Sequence, residues 1–284
     1  MTAPVELTTC PLCGPRGRHR PALGGTLRRC AACGFVWTAE VAAPPGQLYG
    51  ESYYHGGGYE EYFLERPRRF EASRRLRWLL SVDRPASLLE AGSAGGFFVA
   101  AARRAGIAAT GIDVSEVAAR YARDHVGVSV HCGRFEEVSA TVDPVEAVCA
   151  FHVLEHVEQP RAFLAAARSA LVPGGLLALE VPNIASAAAG RMGVGWPGLQ
   201  PRYHRWHFAP ATLTALVRTS GFEIVGQDTT VFRYYMPARY RLRHVRRLLP
   251  PDWRGTGSPR LVHPHLGDLL RLVARRPYPG SRSC

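Results

Sequence analysis

Lysine is absent from this sequence, and all 35 of its basic residues are arginine. This absence excludes chemistry that needs a lysine amine, such as Schiff-base formation or phosphate binding by a P-loop lysine. Long hydrophobic runs are absent too, since none approaches the roughly 20 residues that a membrane span needs. The first ten residues lack the apolar core of a signal peptide, so we expect a cytoplasmic protein without a membrane span.

The positive charge is concentrated near the C-terminus. The formal net charge is +12, and residues 237–284 carry 11 arginines against 2 acidic residues, which leaves only +3 for the rest of the chain. We predict a basic helical tail over this segment, with amphipathic helices at 239–249 and 265–276. Such helices lie on nucleic acid or anionic lipid, or they pack their apolar side on the protein, and we favour packing.

Two Cys-x-x-Cys pairs near the N-terminus form a strong metal-binding pattern. Sixteen residues separate the pair Cys10 and Cys13 from the pair Cys30 and Cys33, and a glycine follows each pair. Without an export signal, cysteines indicate metal ligands or free thiols rather than disulfides, and four thiolates suit tetrahedral zinc. We predict a structural zinc ribbon over residues 1–43. We interpret it as a staple or an active-site lid rather than a nucleic-acid contact.

The fold class follows from residues 87–106. A buried strand at 87–89 is followed by Glu90 and a run of small residues, and then by an alanine-rich helix at 97–104 that Gly106 caps. This pattern is typical of the first βα unit of a nucleotide-binding sheet, in which glycines let a ligand approach the backbone. Glu90 would repel a pyrophosphate and favour a cofactor with a net positive charge. The dinucleotide fingerprint is also incomplete, because Ala94 replaces its second glycine.

At these motifs the chain resembles a class I S-adenosylmethionine (SAM)-dependent methyltransferase, over about residues 48–232. The resemblance implies a Rossmann-like α/β fold with a seven-stranded sheet and helices on both faces. It also implies that Glu90 and the glycine turn hold the methionine part of SAM, while Asp113, at the end of the next strand, binds the ribose. The turn residues concerned are Gly92, Ala94 and Gly96. We place this domain at 86–236, with 223–225 and 229–234 as its last two strands, an antiparallel hairpin.

Further cofactor contacts come from the same resemblance. In the family an acidic residue after the third strand often faces the adenine, but Arg134 occupies that place here, and Phe135 beside it is a candidate for stacking on the base. Residues 44–85 are expected to be an aromatic-rich helical lid or linker. Its Tyr53 and Tyr54 either cover the cofactor or pack on the next helix. Phe151, at the end of the fourth strand, is another candidate.

The segment after the fourth strand contains the main catalytic candidates. His152, Glu155 and His156 are spaced i, i+3 and i+4, so on a helical turn they share a face where cofactor and acceptor meet. The Leu-Glu-His motif resembles that of small-molecule methyltransferases of the Methyltransf_23 group. Three interpretations are open. One histidine is a general base, or the three side chains bind a divalent ion as in some quinone O-methyltransferases, or Glu155 and His156 only orient the segment.

Two more histidines precede a predicted helix at 212–220. His204 and His207 lie in a stretch similar to the family's H-x-x-H-F-x-P-x-T-L sequence, which borders the acceptor pocket. They are therefore candidates for a base or for substrate binding, and the alternative is that backbone groups satisfy both rings.

The sequence therefore predicts a SAM-dependent methyltransferase that acts by in-line displacement at the sulfonium methyl group. We expect a small-molecule acceptor, such as a natural product, a sugar or a quinone-like metabolite. Two alternatives differ in class: an RNA methyltransferase that uses the ribbon and the basic tail, and a non-methylating enzyme or binding module built on the same fold.

Overall fold

The structure, a computed structural model, describes residues 5–15, 18–41, 63–230 and 267–280. Tyr53, Tyr54 and the predicted helix at 239–249 lie outside these residues. Within the described ranges no helix is long and apolar enough to cross a membrane.

The described residues form thirteen strands and seven α-helices. The strands are β1 Val5–Glu6, β2 His19–Ala22, β3 Leu27–Cys30, β4 Val36–Thr38, β5 Glu40–Val41, β6 Ser87–Ala91, β7 Ala108–Asp113, β8 Val130–Cys132, β9 Val145–Phe151, β10 Leu171–Pro182, β11 Trp206–His207, β12 Glu223–Thr230 and β13 Leu269–Arg275. The helices are α1 Glu65–Leu80, α2 Phe97–Arg104, α3 Glu116–Tyr121, α4 Phe135–Val138, α5 Pro160–Ala170, α6 Ala187–Met192 and α7 Pro210–Thr219.

The main sheet has seven strands in the order β12-β13-β10-β9-β6-β7-β8, which confirms the predicted fold class. The five strands from β10 to β8 are parallel, and β13 is antiparallel to both of its neighbours. The central strands are apolar on both faces because helices cover both sides of a parallel sheet. Since β6 and β9 are adjacent and parallel, the loops that follow them meet at the same edge of the sheet.

Two predictions for the C-terminal part of the chain are wrong. Residues 269–275 form the strand β13 rather than part of a helix, and β12 is one continuous strand that pairs with β13 rather than with a strand at 229–234. A short apolar run fits both helical and extended periodicity, so tertiary pairing decides between them. Here β13 inserts between β10 and β12, and the Arg271 guanidinium is neutralised by Asp228 at 2.6 and 2.7 Å.

Two apolar layers cover the sheet. Helices α1 and α2 pack on one face, and α5 and α7 pack on the other. The N-terminal ribbon shares the second layer: Phe35 and Trp37 are fully buried, and the Phe35 ring packs edge-on against Phe208 at 5.5 Å between centroids. The ribbon sheet has the order β11-β4-β3-β2, so it includes a strand that lies almost 170 residues further along the chain than β4. The ribbon is therefore packed into the same core as the sheet.

Candidate active site

The turn between β6 and α2 has the backbone that the glycine run predicts. Gly92, Ala94 and Gly96 all have positive φ angles, 63°, 47° and 72°. The Ala94 amide donates to the Asp113 carboxylate at 2.7 Å, which joins the turn to the end of β7. A Cβ atom at Gly92 would lie 2.4 Å from Val153 Cγ2, so the turn directly touches the loop that follows β9. The cofactor candidates and the catalytic candidates therefore form one site.

Two buried carboxylates flank this turn. Glu90 and Asp113 are only 4% and 8% exposed, and burial raises the pKa of both. For Glu90 the nearby Arg75 opposes this rise, and for Asp113 the amides of Ser115 and Ala94 do so. Among the described residues, Glu90 Oε2 and Ser93 Oγ are buried without a hydrogen-bond partner. Buried polar atoms are nearly always paired, so these two indicate the place of a polar, cationic ligand group.

The loop after β9 is a hydrogen-bonded turn rather than the helical turn that the spacing suggested. His152 has a φ angle of 59°, which is strained for a residue with a side chain and is common at functional sites. Its amide donates to the Glu180 carbonyl at 2.8 Å, and its Nδ1 lies 3.1 Å from Glu155 Oε1. The predicted proximity of His152, Glu155 and His156 is nevertheless present, because the turn folds the three side chains toward one another.

Glu155, His156 and His204 form a group, buried at Glu155 and His204 and partly buried at His156, that we call the acceptor cluster. Their ligating atoms all lie within 4.8 Å of one another. His156 Nδ1 is 3.0 Å from the Tyr203 carbonyl, and His204 Nδ1 is 3.0 Å from the Gly198 carbonyl. Carbonyl oxygens only accept, so both Nδ1 atoms carry the proton and each neutral ring has its lone pair on Nε2. Burial lowers the pKa of both histidines, which keeps them neutral at pH 7.

His207 lies apart from this cluster and contacts the ribbon. Its Nε2 is 3.0 Å from the Thr38 hydroxyl, and burial lowers its pKa to about 3. A neutral imidazole whose Nε2–H is engaged with a buried hydroxyl has no role as a base through that nitrogen. The structure therefore favours the interpretation of His207 as an internally bonded histidine, whereas it brings His204 together with Glu155 and His156.

Three cofactor candidates have other neighbours than expected. Phe135 is buried in the core against Phe163, with 4.8 Å between ring centroids. Arg134 pairs with Glu158 at 3.3 Å. Phe151 packs edge-on against Phe98 and under the Arg75 guanidinium, at 4.9 and 4.8 Å. Phe135 and Phe151 are therefore buried in the core, whereas Arg134 lies at the surface.

Sequence reasoning missed a buried ion pair beneath His152. Glu180 on β10 is fully buried and receives a hydrogen bond from Arg75 Nε at 2.9 Å. Burial raises its pKa, but the charges of Arg75 and Arg74 outweigh this effect and lower it to about 2. His152 Nε2 lies 3.6 Å from the same carboxylate. An acidic residue inside the apolar run of β10 was the available signal, because a buried charge needs a partner.

The four predicted metal ligands converge in the ribbon. All four Sγ atoms lie within 4.8 Å of one another, with 3.5 Å between Cys10 and Cys33 and 3.8 Å between Cys13 and Cys30. A tetrahedron of sulfurs at about 2.3 Å from zinc has edges of about 3.8 Å. The donor set and its spacing therefore fit a closed, four-coordinate zinc site, with no position open for a substrate.

A mostly parallel sheet with a glycine turn after its first strand and an acidic residue at the end of its second is the arrangement expected of a class I SAM-dependent methyltransferase, and dinucleotide-binding folds share it. This chain belongs to the family of the Methyltransf_23 methyltransferase domain, whose model matches residues 62–227. A ubiquinone biosynthesis O-methyltransferase from Methylobacterium nodulans is 33% identical over 158 residues, which are 51% of this chain. The chain spans 61% of the length of that relative.

Solved structures support the fold independently. A Thermotoga maritima SAM-dependent methyltransferase, described as a possible histamine N-methyltransferase, aligns with a TM-score of 0.55 at 20% identity, over 78% of this chain and 96% of that chain. The 1,6-didemethyltoxoflavin N1-methyltransferase from Burkholderia thailandensis, solved with its substrate and S-adenosylhomocysteine, aligns with a TM-score of 0.52 at 18% identity. The alignment covers 87% of this chain and 97% of that one.

Proposed function

We propose that this enzyme methylates a hydroxyl group of a small-molecule acceptor and that His156 removes the proton of that hydroxyl. When bound, SAM supplies a sulfonium methyl group for in-line displacement. The observation that carries the proposal is the acceptor cluster itself, a set of buried acceptor atoms on the loop that touches the glycine turn. The name of the Methylobacterium relative, an O-methyltransferase of ubiquinone biosynthesis, supports an oxygen acceptor on a quinol-like ring.

The geometry suits a base at His156. Its Nδ1–H is held by the Tyr203 carbonyl, which fixes the ring and places the lone pair of the neutral imidazole on Nε2. Glu155 Oε1 lies 4.0 Å from this Nε2 and stabilises the imidazolium that forms. His156 Nε2 would take the proton of the acceptor hydroxyl, while bound SAM would supply the methyl group and its sulfur would leave with the electron pair of the broken bond. The chain's main contribution is then the alignment of acceptor and methyl group.

The direct test is methyl transfer from labelled SAM to a panel of catechols, quinols, sugars and phenolic natural products, with total RNA as a separate arm. We expect turnover of at least one hydroxylated small molecule without RNA. Turnover of RNA alone would contradict the proposal, as would binding of S-adenosylhomocysteine without transfer to any acceptor.

A His156→Gln variant is expected to lower kcat by roughly 10² to 10⁴-fold, the usual contribution of a positioned base. In the parent enzyme, burial lowers the pKa of His156, so kcat/KM should stay level around neutral pH and decline only below the usual histidine range. The variant should lack this acid limb. Profiles of kcat/KM from pH 5 to 9 check both points, and His131→Gln, an exposed histidine on β8, is the control. Full activity in His156→Gln would show that His156 is not the base.

A divalent cation in the acceptor cluster is a second candidate, favoured by one observation. Ligating atoms of two neutral histidines and a carboxylate lie within 4.8 Å of one another, and Glu155 Oε2 is buried without a partner among the described residues. Rings held through Nδ1–H to carbonyls are typical of metal ligands. If a cation binds there, it lowers the pKa of the acceptor hydroxyl in place of a base.

Metal stoichiometry separates these two candidates. With a cation in the acceptor cluster, we expect two metal equivalents per chain in the parent enzyme and one in Glu155→Gln, because the four thiolates of the ribbon hold the other. With His156 as the base, both proteins should hold one equivalent. Elemental analysis of protein equilibrated with Mg²⁺, Mn²⁺ and Zn²⁺ makes the measurement, and a second equivalent that persists in Glu155→Gln would contradict a cation in this cluster.

A further inference from the structure

Strand β11, which lies next to His204 of the acceptor cluster, is also part of the ribbon sheet. Strand β4 of the ribbon pairs antiparallel with β11, with Trp37 opposite Trp206 and Val36 opposite His207. The Thr38 amide extends this ladder by donating to the Arg205 carbonyl at 2.9 Å. The segment that carries His204 and His207 is therefore held in place by backbone hydrogen bonds from the ribbon.

The same segment also forms hydrogen bonds with the loop at 152–157, which carries the proposed base. The amides of Arg205 and Trp206 donate to the Glu155 carbonyl at 2.8 and 3.2 Å, and the Trp206 indole N–H donates to the Val157 carbonyl at 2.7 Å. Residues 204–207 thus lie between the ribbon on one side and the 152–157 loop on the other. A displacement of β4 would therefore move β11, and with it the residues that bond to the Glu155 carbonyl.

Thr38 makes this link with its side chain as well. It is 2% exposed, and its hydroxyl donates to the His204 carbonyl at 2.5 Å. The hydroxyl has a single proton, so its oxygen accepts from His207 Nε2–H at 3.0 Å. One hydroxyl therefore fixes the backbone of His204 and the ring of His207 together. The His204 carbonyl is bonded to Thr38, and its ring is bonded through Nδ1 to the Gly198 carbonyl. This ring contacts the His156 ring edge-on, with 4.6 Å between centroids.

We propose that Thr38 is a positioning residue for the acceptor cluster, so that the ribbon forms part of the acceptor half of the active site. This inference rests on the proposed function. The Thr38 hydroxyl bonds to His204 and His207, so its side chain reaches Glu155 and His156 through those two residues. The ribbon then has a catalytic consequence in addition to its packing in the core.

Thr38→Val and Thr38→Ser separate positioning from general stability. Valine keeps the shape of threonine but leaves the His204 carbonyl and His207 Nε2–H without their partner, whereas serine keeps the hydroxyl. We expect Thr38→Val to lower kcat for the acceptor roughly tenfold to a hundredfold, with the dissociation constant of S-adenosylhomocysteine and the zinc content unchanged. Thr38→Ser should restore kcat to within a few-fold. Thr26→Val, at an exposed ribbon threonine, is the control.

Imidazole ¹⁵N spectra provide a readout that needs no acceptor. We expect the resonances of His204, His207 and His156 to change in Thr38→Val and to return in Thr38→Ser, which tests the proposal even if no methyl transfer is found. Absence of transfer in the parent enzyme would count against the proposed function alone. Unchanged spectra in Thr38→Val, or equal defects in the valine and serine variants, would overturn the role of Thr38.

Discussion

A Gly92→Ala variant is expected to bind S-adenosylhomocysteine roughly a hundredfold more weakly than the parent enzyme. The added Cβ would lie 2.4 Å from Val153 Cγ2, and the φ angle of 63° costs a residue with a side chain about 1–2 kcal/mol. The Val153 side chain or the turn must therefore shift, which disturbs the contact between the predicted cofactor turn and the 152–157 loop. Isothermal titration with S-adenosylhomocysteine measures the effect.

Gly106→Ala is the matched control for this substitution. Gly106 has a φ angle of 82°, but its Cβ would meet nothing within 4 Å, so the two variants share backbone strain and differ in the contact. Gly106→Ala should lose stability while it keeps its affinity. Adding Val153→Ala to Gly92→Ala removes the clashing methyl group and should recover part of the binding. An affinity of Gly92→Ala within about threefold of the parent would show that the turn is not the cofactor site.

Replacing one ribbon cysteine is expected to have the largest effect on stability. We infer that Cys10, Cys13, Cys30 and Cys33 hold one structural zinc ion per chain. Cys10 is fully buried in the layer that the ribbon shares with α5 and α7. Because zinc binding contributes about 10–16 kcal/mol to the folding of small zinc domains, Cys10→Ser should lose the ion and lower the melting temperature by about 10 °C or more.

Cys132→Ser is the control for Cys10→Ser, since Cys132 is an exposed thiol outside the cluster. Elemental analysis should find one zinc fewer per chain in Cys10→Ser and no change in Cys132→Ser. Calorimetry gives the melting temperatures of both. A Cys10→Ser protein that keeps its zinc and its melting temperature would contradict the structural metal site.

The secondary-structure predictions were correct where the signals are local and wrong where pairing with distant strands decides the conformation. Helix α2 has the predicted bounds, 97–104, because a glycine turn before it and Gly106 after it are local signals. The predicted helix over 265–276 was wrong for the opposite reason. Nothing in that segment identifies β10 and β12 as its partners, although its pairing with them determines its conformation.

Site residues divided in the same way. Glu90, the glycine turn and Asp113 lie within a few residues of Gly92 or at the end of the next strand, so motif spacing was sufficient to predict that they lie together. The acceptor cluster adds His204 from a segment almost fifty residues past Glu155, and the spacing of His152, Glu155 and His156 suggested a different trio. Phe135 followed a family position, yet its ring belongs to the core against Phe163.

The sequence by itself determined the features that short motifs encode: the glycine turn with Glu90 and Asp113, and the four cysteines. It also determined the α/β fold class, because strands alternate with helices around these motifs. Only the tertiary structure decided what the ribbon contacts and which histidines lie close together. Thr38 and His207 are 169 positions apart, and a hydrogen bond over that separation has no periodicity or spacing to predict it. It exists because β4 and β11 pair in three dimensions, where a ribbon hydroxyl meets the acceptor side of the site.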